Sequence, residues 1–294
     1  MGRRGLALME ASHLLSVGAE LGEGPVWIGD ALWFVDIKRL HLYRHRPESG
    51  TTDRWDAPEM VGWVLPSHRG DMIVGLQSGP HRFAPDTGSF TRIATIDADL
   101  PDNRLNDAAV DARGSIFFGT MDNEETRPNG CVYLLDHGAV RKTVLDATII
   151  TNGPAVAPDC SHLFHVDTLA RTITRHAIAG DGTLGPGDPF LAFSGDEGHP
   201  DGAICDSEGG VWIGFYGGWA ARRYAPDGTM TDEVRFPVAN VTKVALGGPD
   251  GRTAYATTAR QGLDAAALEA QSLAGDVFTF PVAVAAAPLV PANS

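Results

Sequence analysis

Three residues scattered along the chain carry oxygen chemistry suited to a hard cation: Glu23 in "GEGPVW", Asn152 in "TNGPAV" and Asp201 in "HPDGAI". Two carboxylates and an amide carbonyl would suit Ca²⁺, Mg²⁺ or Mn²⁺, and Zn²⁺ or Fe²⁺ tolerate them. Taken singly, each has a plainer meaning. Glu23 would be an exposed turn carboxylate, and Asn152-Gly153 and Asp201-Gly202 are favoured turn pairs. Together they mean more, because two carboxylates that converge without a cation repel each other. A second polar group stands in "RLNDAAVDARGSIFFGT" (104–120), where Arg104 and Asn106 precede an apolar run containing Phe117 and Phe118. The aspartates at 107 and 111 in that stretch read as turn and strand-edge chemistry, not as a catalytic dyad. What matters is whether the backbone can bring these positions together.

A repeat supplies the means. Six strand-like segments follow turn-rich leads, and their markers Trp33, Ile73, Phe117, Phe164, Trp212 and Tyr255 are spaced by 40, 44, 47, 48 and 43 residues. Each is flanked by further apolar stretches and by turns of Gly, Asp and Pro, so each unit reads as a β-meander. A period of this length with several strands per unit is the mark of propeller blades. The expected fold is all-β, a six-bladed β-propeller with four-stranded antiparallel blades around a central metal-containing channel. It forms a single domain over 1–294, with residues 1–7 and about 285–294 as flexible ends. The last unit offers only three good strands, so "ASHLLSV" (11–17) is expected to pair into it and close the ring. "LDAAALEAQ" (263–271) is the one convincing short helix.

The residues before each first strand are Glu23, Trp63, Asn106, Asn152, Asp201 and Thr242, with gaps of 40, 43, 46, 49 and 41. In a propeller the innermost strands surround the channel, so equivalent positions at their starts meet near the axis. This register predicts that Glu23, Asn152 and Asp201 converge, with Asn106 facing the axis and Arg104 at its rim.

Composition removes other classes. A formal net charge of −14 disfavours nucleic acid and anionic membranes as partners, and no apolar run is long enough to span a bilayer. The start, "MGRRGLALMEASHLL", has a short apolar stretch broken by Glu10 and is not expected to be a signal peptide. Cys131, Cys160 and Cys205 are far apart and odd in number, which fits reduced, packed thiols in a cytoplasmic protein. His162 and His165 fall on opposite faces of a strand, so they would not ligate a metal together. There is no His-Glu-x-x-His motif, no Gly-x-Ser-x-Gly elbow and no phosphate-binding loop.

The motifs "LGEGPVW", "RLNDAAVDARGSIFFGTM", "TNGPAVAPD", "HPDGAICDSEGGVWIG" and "NVTKVALGGPDGRTAYATTA" resemble the regucalcin/gluconolactonase family of six-bladed propellers, which includes senescence marker and luciferin-regenerating-like proteins. They run in family order from about residue 21 to 259. "LGEGPVWIGDALWFVDIK" and "ARQGL" are most similar to bacterial sugar lactonases, including those acting on xylonolactone. The resemblance implies that Glu23, Asn152 and Asp201 are metal ligands for one divalent ion (Ca, Zn, Mg, Mn or Fe(II)). It also implies that Arg104 and Asn106 contact substrate, and that Glu124 in "MDNEETRPNG" is a further contact. Tyr216 or Trp219 in "FYGGWAARR" would wall the channel mouth.

The chemistry that follows is hydrolysis of an aldonolactone of the xylono-, arabinono- or gluconolactone type. A Lewis-acidic cation would act on the carbonyl, Asp201 would be the general base, and Arg104 and Asn106 would orient the sugar. A metal-dependent ester or organophosphate hydrolase on the same propeller is one alternative, and a non-catalytic calcium-binding regulatory protein is another. A sugar lactone is the expected small-molecule partner, and the protein is expected to be a monomer or weak homo-oligomer.

Overall fold

The computed structural model describes residues 8–293. They form six sheets, each built on a four-stranded antiparallel meander, arranged as the blades of a six-bladed β-propeller. In chain order the innermost strands are Gly22–Ile28, Val61–Pro66, Asn103–Val110, Thr151–Val156, His199–Cys205 and Val241–Gly247, and each opens a meander running outward. Helix is almost absent among the described residues. The expected segment forms Ala265–Ala270, capped by Asp264, whose side chain accepts the Ala267 N–H at 2.8 Å.

The second strand of each blade shows why the repeat was visible in sequence. Trp33 and Phe34 are adjacent and both fully buried, because successive side chains on a strand point to opposite faces. Trp33 packs with Val61, Val74 and Phe83 of the second blade, whereas Phe34 packs with Ala245 and Tyr255 of the sixth. Phe118 likewise joins Trp63 and Leu105 on one side, and Phe117 joins Leu163 and Leu184 on the other. A strand between two neighbouring blades is covered on both faces, so it reads as a continuous apolar run.

The N-terminal segment closes the ring as expected. Ser12–Leu15 pairs antiparallel with Val277–Pro281 and becomes the fourth strand of the sixth blade. Asp276 fixes the entry to this strand, accepting the N–H groups of Val17 and Gly18 at 2.9 Å each and bonding His13 Nε2 at 2.9 Å. An additional strand, Leu8–Glu10, runs parallel to Met230–Arg235 and gives the fifth blade five strands. The N-terminal end expected to be flexible, 1–7, lies outside the described residues.

The C-terminal segment, expected as a loose end, instead makes a series of backbone bonds across the face opposite the strand starts. Ala285 O accepts from Ser207 N, Ala286 N donates to Gly251 O, Ala292 N donates to Pro66 O, and Asn293 N donates to Gly114 O. The tail therefore touches blades five, six, two and three, and Ala292 is fully buried. Its sequence gave no hint of this, because isolated backbone bonds leave no side-chain period.

All six innermost strands carry a break in register at the same level. The breaks fall at Glu23/Val26, Val61/Trp63, Leu105/Ala108, Asn152/Ala155, Pro200/Ala203 and Val241/Lys243. Such bulges re-aim side chains beside functional sites. They also correct the expected ring of six equivalent positions. Counting back from the break, Trp63 corresponds to Lys243 and not to Thr242. Trp63 is buried in the packing between blades two and three, and Thr242 Oγ1 donates to Gly22 O at 2.7 Å.

Candidate active site

Glu23, Arg104, Asn106, Asn152 and Asp201 all line one cavity of about 180 Å³ at the end of the ring where the inner strands start. The local backbone explains how the donors reach it. In "EGP" and "NGP" the glycine after the donor is left-handed, with φ +54° at Gly24 and +62° at Gly153, a conformation open to glycine at little cost. The chain turns there, and Glu23 and Asn152 face the cavity instead of the blade interior.

A hydrogen-bonded chain links the two halves of the site. Arg104 Nη1 donates to Asn106 Oδ1 at 2.5 Å, and Asn106 Nδ2 donates to Thr151 O at 2.8 Å and to Asn152 Oδ1 at 3.0 Å. Asn152 Nδ2 donates to Thr168 Oγ1 at 3.0 Å, which leaves its carbonyl oxygen on the Asn106 side. Glu23 Oε2 accepts the Gly24 N–H at 2.7 Å. Arg104 is almost completely buried, yet its Nε has no hydrogen-bond partner among the described residues. A buried guanidinium on the cavity wall with an unused donor is an exception to the usual pairing of buried polar groups.

The electrostatics agree. Burial pushes the Glu23 carboxyl up to about 8, with Asp107 adding to the shift and Lys243, the Gly24 N–H and Arg104 opposing it. Burial also raises Asp201 well above the usual carboxylate range, helped by Glu23 and Asp107 and opposed by Arg104. Arg104 is lowered to about 10 by burial, against the pull of Glu125, Glu23 and Asp201. Two buried carboxylates, both pushed up by burial and by neighbouring carboxylates, form a site in need of positive charge.

Beneath this cavity lies a buried ion pair. Lys243 Nζ donates to Asp107 Oδ1, and both side chains are at most 5% exposed. Burial pushes the Asp107 carboxyl up and Lys243 holds it down. Asp107 is thus neither turn nor strand-edge chemistry, whereas Asp111 does serve its own turn, accepting from Arg113 N and Ser115 N at 2.9 Å each. The stem of Lys243 packs on Gly202, where a Cβ would fall 2.6 Å from its carbons. Asp107 and Lys243 line a second cavity of about 220 Å³ on the far side, walled mostly by Ala, Val, Pro and Leu and closed in part by Ala286–Val290. The charged side chains on its wall are already paired, Asp107 with Lys243 and Asp111 with Arg113, so the chemistry belongs to the first.

The cavity wall corrects one expected contact. Glu124 is exposed, accepts only from Asn123 Nδ2 at 3.2 Å among the described contacts, and does not line the cavity, whereas Glu125 does. The loop turns at Glu125 through a left-handed residue (φ +56°), and Asp122 clamps it by accepting from Thr126 N at 3.0 Å and Arg127 N at 3.1 Å. The strand period ends before this turn, so the sequence could not say which glutamate faces inward. Tyr216 lines the cavity and its hydroxyl donates to Gln261 O, while Trp219 lies outside it and is 41% exposed. Thr168, His199 and Gln261 complete the polar wall and were not anticipated; Leu21, Met121, Ile150 and Leu169 supply apolar surface.

Comparison with known proteins now bears on this geometry. The family described as SMP-30/Gluconolactonase/LRE-like region matches residues 21–260. The chain belongs to this family. Among its curated members, the L-arabinolactonase of Azospirillum brasilense is 34% identical over 275 residues, covering 92% of this chain and 91% of that protein. The 6-deoxy-6-sulfogluconolactonase of Pseudomonas putida is 32% identical over 267 residues, covering 90% and 92% respectively. The crystal structure of a calcium-binding protein, regucalcin, from Agrobacterium tumefaciens superposes with a TM-score of 0.93 at 27% identity, covering 98% of this chain and all of that one. The matched span takes in every inner strand of the propeller and all five of the converging polar residues.

The donor set fits a divalent cation of the kind the family implies. Among the described residues no three His, Cys, Asp or Glu side chains gather as a metal site. What gathers instead is two carboxylates with an amide carbonyl, all hard oxygens, in a buried cavity that is short of positive charge.

Proposed function

We propose that this chain is a metal-dependent sugar lactonase, hydrolysing an aldonolactone of the xylono-, arabinono- or gluconolactone type to the aldonic acid. The observation that carries the reading is the convergence of Glu23, Asn152 and Asp201 with Arg104 and Asn106 in one cavity. The names of the relatives add weight, since arabinolactonase and sulfogluconolactonase are both hydrolases of cyclic sugar esters. Three free cysteines fit a reducing compartment, and we place the reaction in the cytoplasm. Among the described residues no helix is long and apolar enough to cross a membrane.

Glu23, Asn152 and Asp201 would hold the ion. When bound, a divalent cation supplies Lewis-acid polarisation of the lactone carbonyl and favours ionised Glu23 and Asp201. Arg104, with Nη1 fixed on Asn106, presents its remaining donors to the sugar hydroxyls and ring oxygen in a planar fork. Asn106 holds that fork in place and ties it to Asn152. Asp201 takes a proton from water as the new carbon–oxygen bond forms. It returns the proton to the ring oxygen as the ester bond breaks, so the net change is addition of one water. Glu125 and Tyr216 shape the wall around the rest of the ring.

Acid release from a panel of aldonolactones tests the reading, using chelator-treated protein with each divalent cation restored in turn. Turnover that disappears with chelator and returns with a cation is expected. The likeness to a calcium-binding regucalcin favours a rival, a cation-binding protein without turnover. Cation binding with no hydrolysis of any lactone would replace the lactonase reading with that one.

A further inference from the structure

Gln261 stands in the cavity wall on the loop after the second strand of blade six, opposite the loop of blade three that carries Glu125. Its backbone is held on both sides. Gln261 N donates to Glu20 O at 2.8 Å, and Gln261 O accepts from Tyr216 Oη and from Asn240 Nδ2 at 3.0 Å. The side chain reaches across the mouth, where Nε2 donates to Glu125 Oε1 at 3.4 Å. A carboxylate oxygen must be met by an N–H, so the amide oxygen is turned the other way. That oxygen, Oε1, is buried and has no hydrogen-bond partner among the described residues. Buried polar atoms are normally paired, so an unpaired acceptor on a residue of the cavity wall marks a hydrogen bond that a ligand can complete.

We propose that Gln261 is a specificity-determining residue whose Oε1 accepts a hydrogen bond from a sugar hydroxyl at the end of the lactone remote from the reacting carbonyl. The assignment rests on the lactonase reading above. The donors Glu23, Asn152 and Asp201 form the buried floor, whereas Gln261 and Glu125 are half-buried at the mouth. A lactone with its carbonyl at the floor therefore directs its distal hydroxyls at these two residues. Both offer acceptor oxygens, one neutral and one charged, so this end of the cavity recognises hydroxyl donors. A sulfonate, phosphate or carboxylate substituent would meet the Glu125 carboxylate and be refused. The contact is present in ground state and transition state alike, so it acts through KM.

The test compares wild type with Gln261→Met, which keeps the length of the side chain, and with Gln261→Ala. The substrates are an aldonolactone bearing its terminal hydroxyl and the corresponding terminal deoxy lactone. Losing one neutral hydrogen bond should lower kcat/KM on the hydroxylated lactone about tenfold, mainly through KM. The deoxy lactone should be nearly unaffected, so discrimination between the two collapses at an unchanged melting temperature. Equal losses on both lactones would show that Gln261 only steadies Glu125, overturning the assignment while leaving the lactonase reading in place. A wild-type protein that hydrolyses neither lactone would overturn both.

Discussion

Asn106 Nδ2 donates to Asn152 Oδ1 at 3.0 Å, joining residues 46 positions apart on the inner strands of adjacent blades. The same amide receives Arg104 on its oxygen. One asparagine thus connects the side chain proposed to grip the sugar with a side chain proposed to hold the cation. Displacing either end should be felt at the other, but not equally.

Arg104→Lys separates the two ends. Lysine keeps the charge and loses the planar fork, so substrate contact should suffer while Asn152 stays held by Thr168. A loss of roughly 1–3 kcal/mol in transition-state binding is expected from kcat/KM, with cation affinity close to wild type by calorimetry. A collapse of cation affinity would make Arg104 a structural member of the site.

Lys243→Met should destabilise the fold, because it strands Asp107 as a buried, unpaired carboxylate. Removing one partner of a buried pair costs about 3–5 kcal/mol, and replacing both partners costs far less. Denaturant unfolding should therefore show Asp107→Ala/Lys243→Met to be more stable than Lys243→Met alone. The opposite order would mean that the pair is not coupled.

Truncation tests ring closure. Removing residues 1–17 strips Ser12–Leu15 from the edge of the sixth blade and takes the Val17 N–H from Asp276. Removing residues 1–11 leaves that strand in place. The longer deletion should lower the melting temperature by many degrees more than the shorter, since it exposes the strand edge of Val277–Pro281. Equal melting temperatures would show that the sixth blade does not depend on this strand.

The fold was legible in sequence because blade strands are covered on both faces and separated by Gly, Asp and Pro turns. Pairs such as Trp33-Phe34 and Phe117-Phe118 therefore mark each unit. Ring closure was legible from a missing strand, with one unassigned apolar segment to fill it. Positions on the inner strands were legible only in part. A bulge spends a variable number of residues, so counting from the strand start misplaced Trp63 and Thr242 while placing Glu23, Asn106, Asn152 and Asp201 in the cavity. Glu125 and Gln261 sit on loops whose facing is set by left-handed turns and distant hydrogen bonds. Lys243 and Asp107 are 136 positions apart, and nothing local signals that they pair.

The most direct test of the central claim is the initial rate of acid release from a pentono- or hexonolactone by Asp201→Ala, measured beside wild type with divalent cation present. The substitution removes both a proposed cation ligand and the proposed base while leaving the blade packing untouched. The account predicts no rate above the uncatalysed background, weakened cation binding and a melting temperature near that of wild type. Near-normal turnover by a folded Asp201→Ala protein would contradict it.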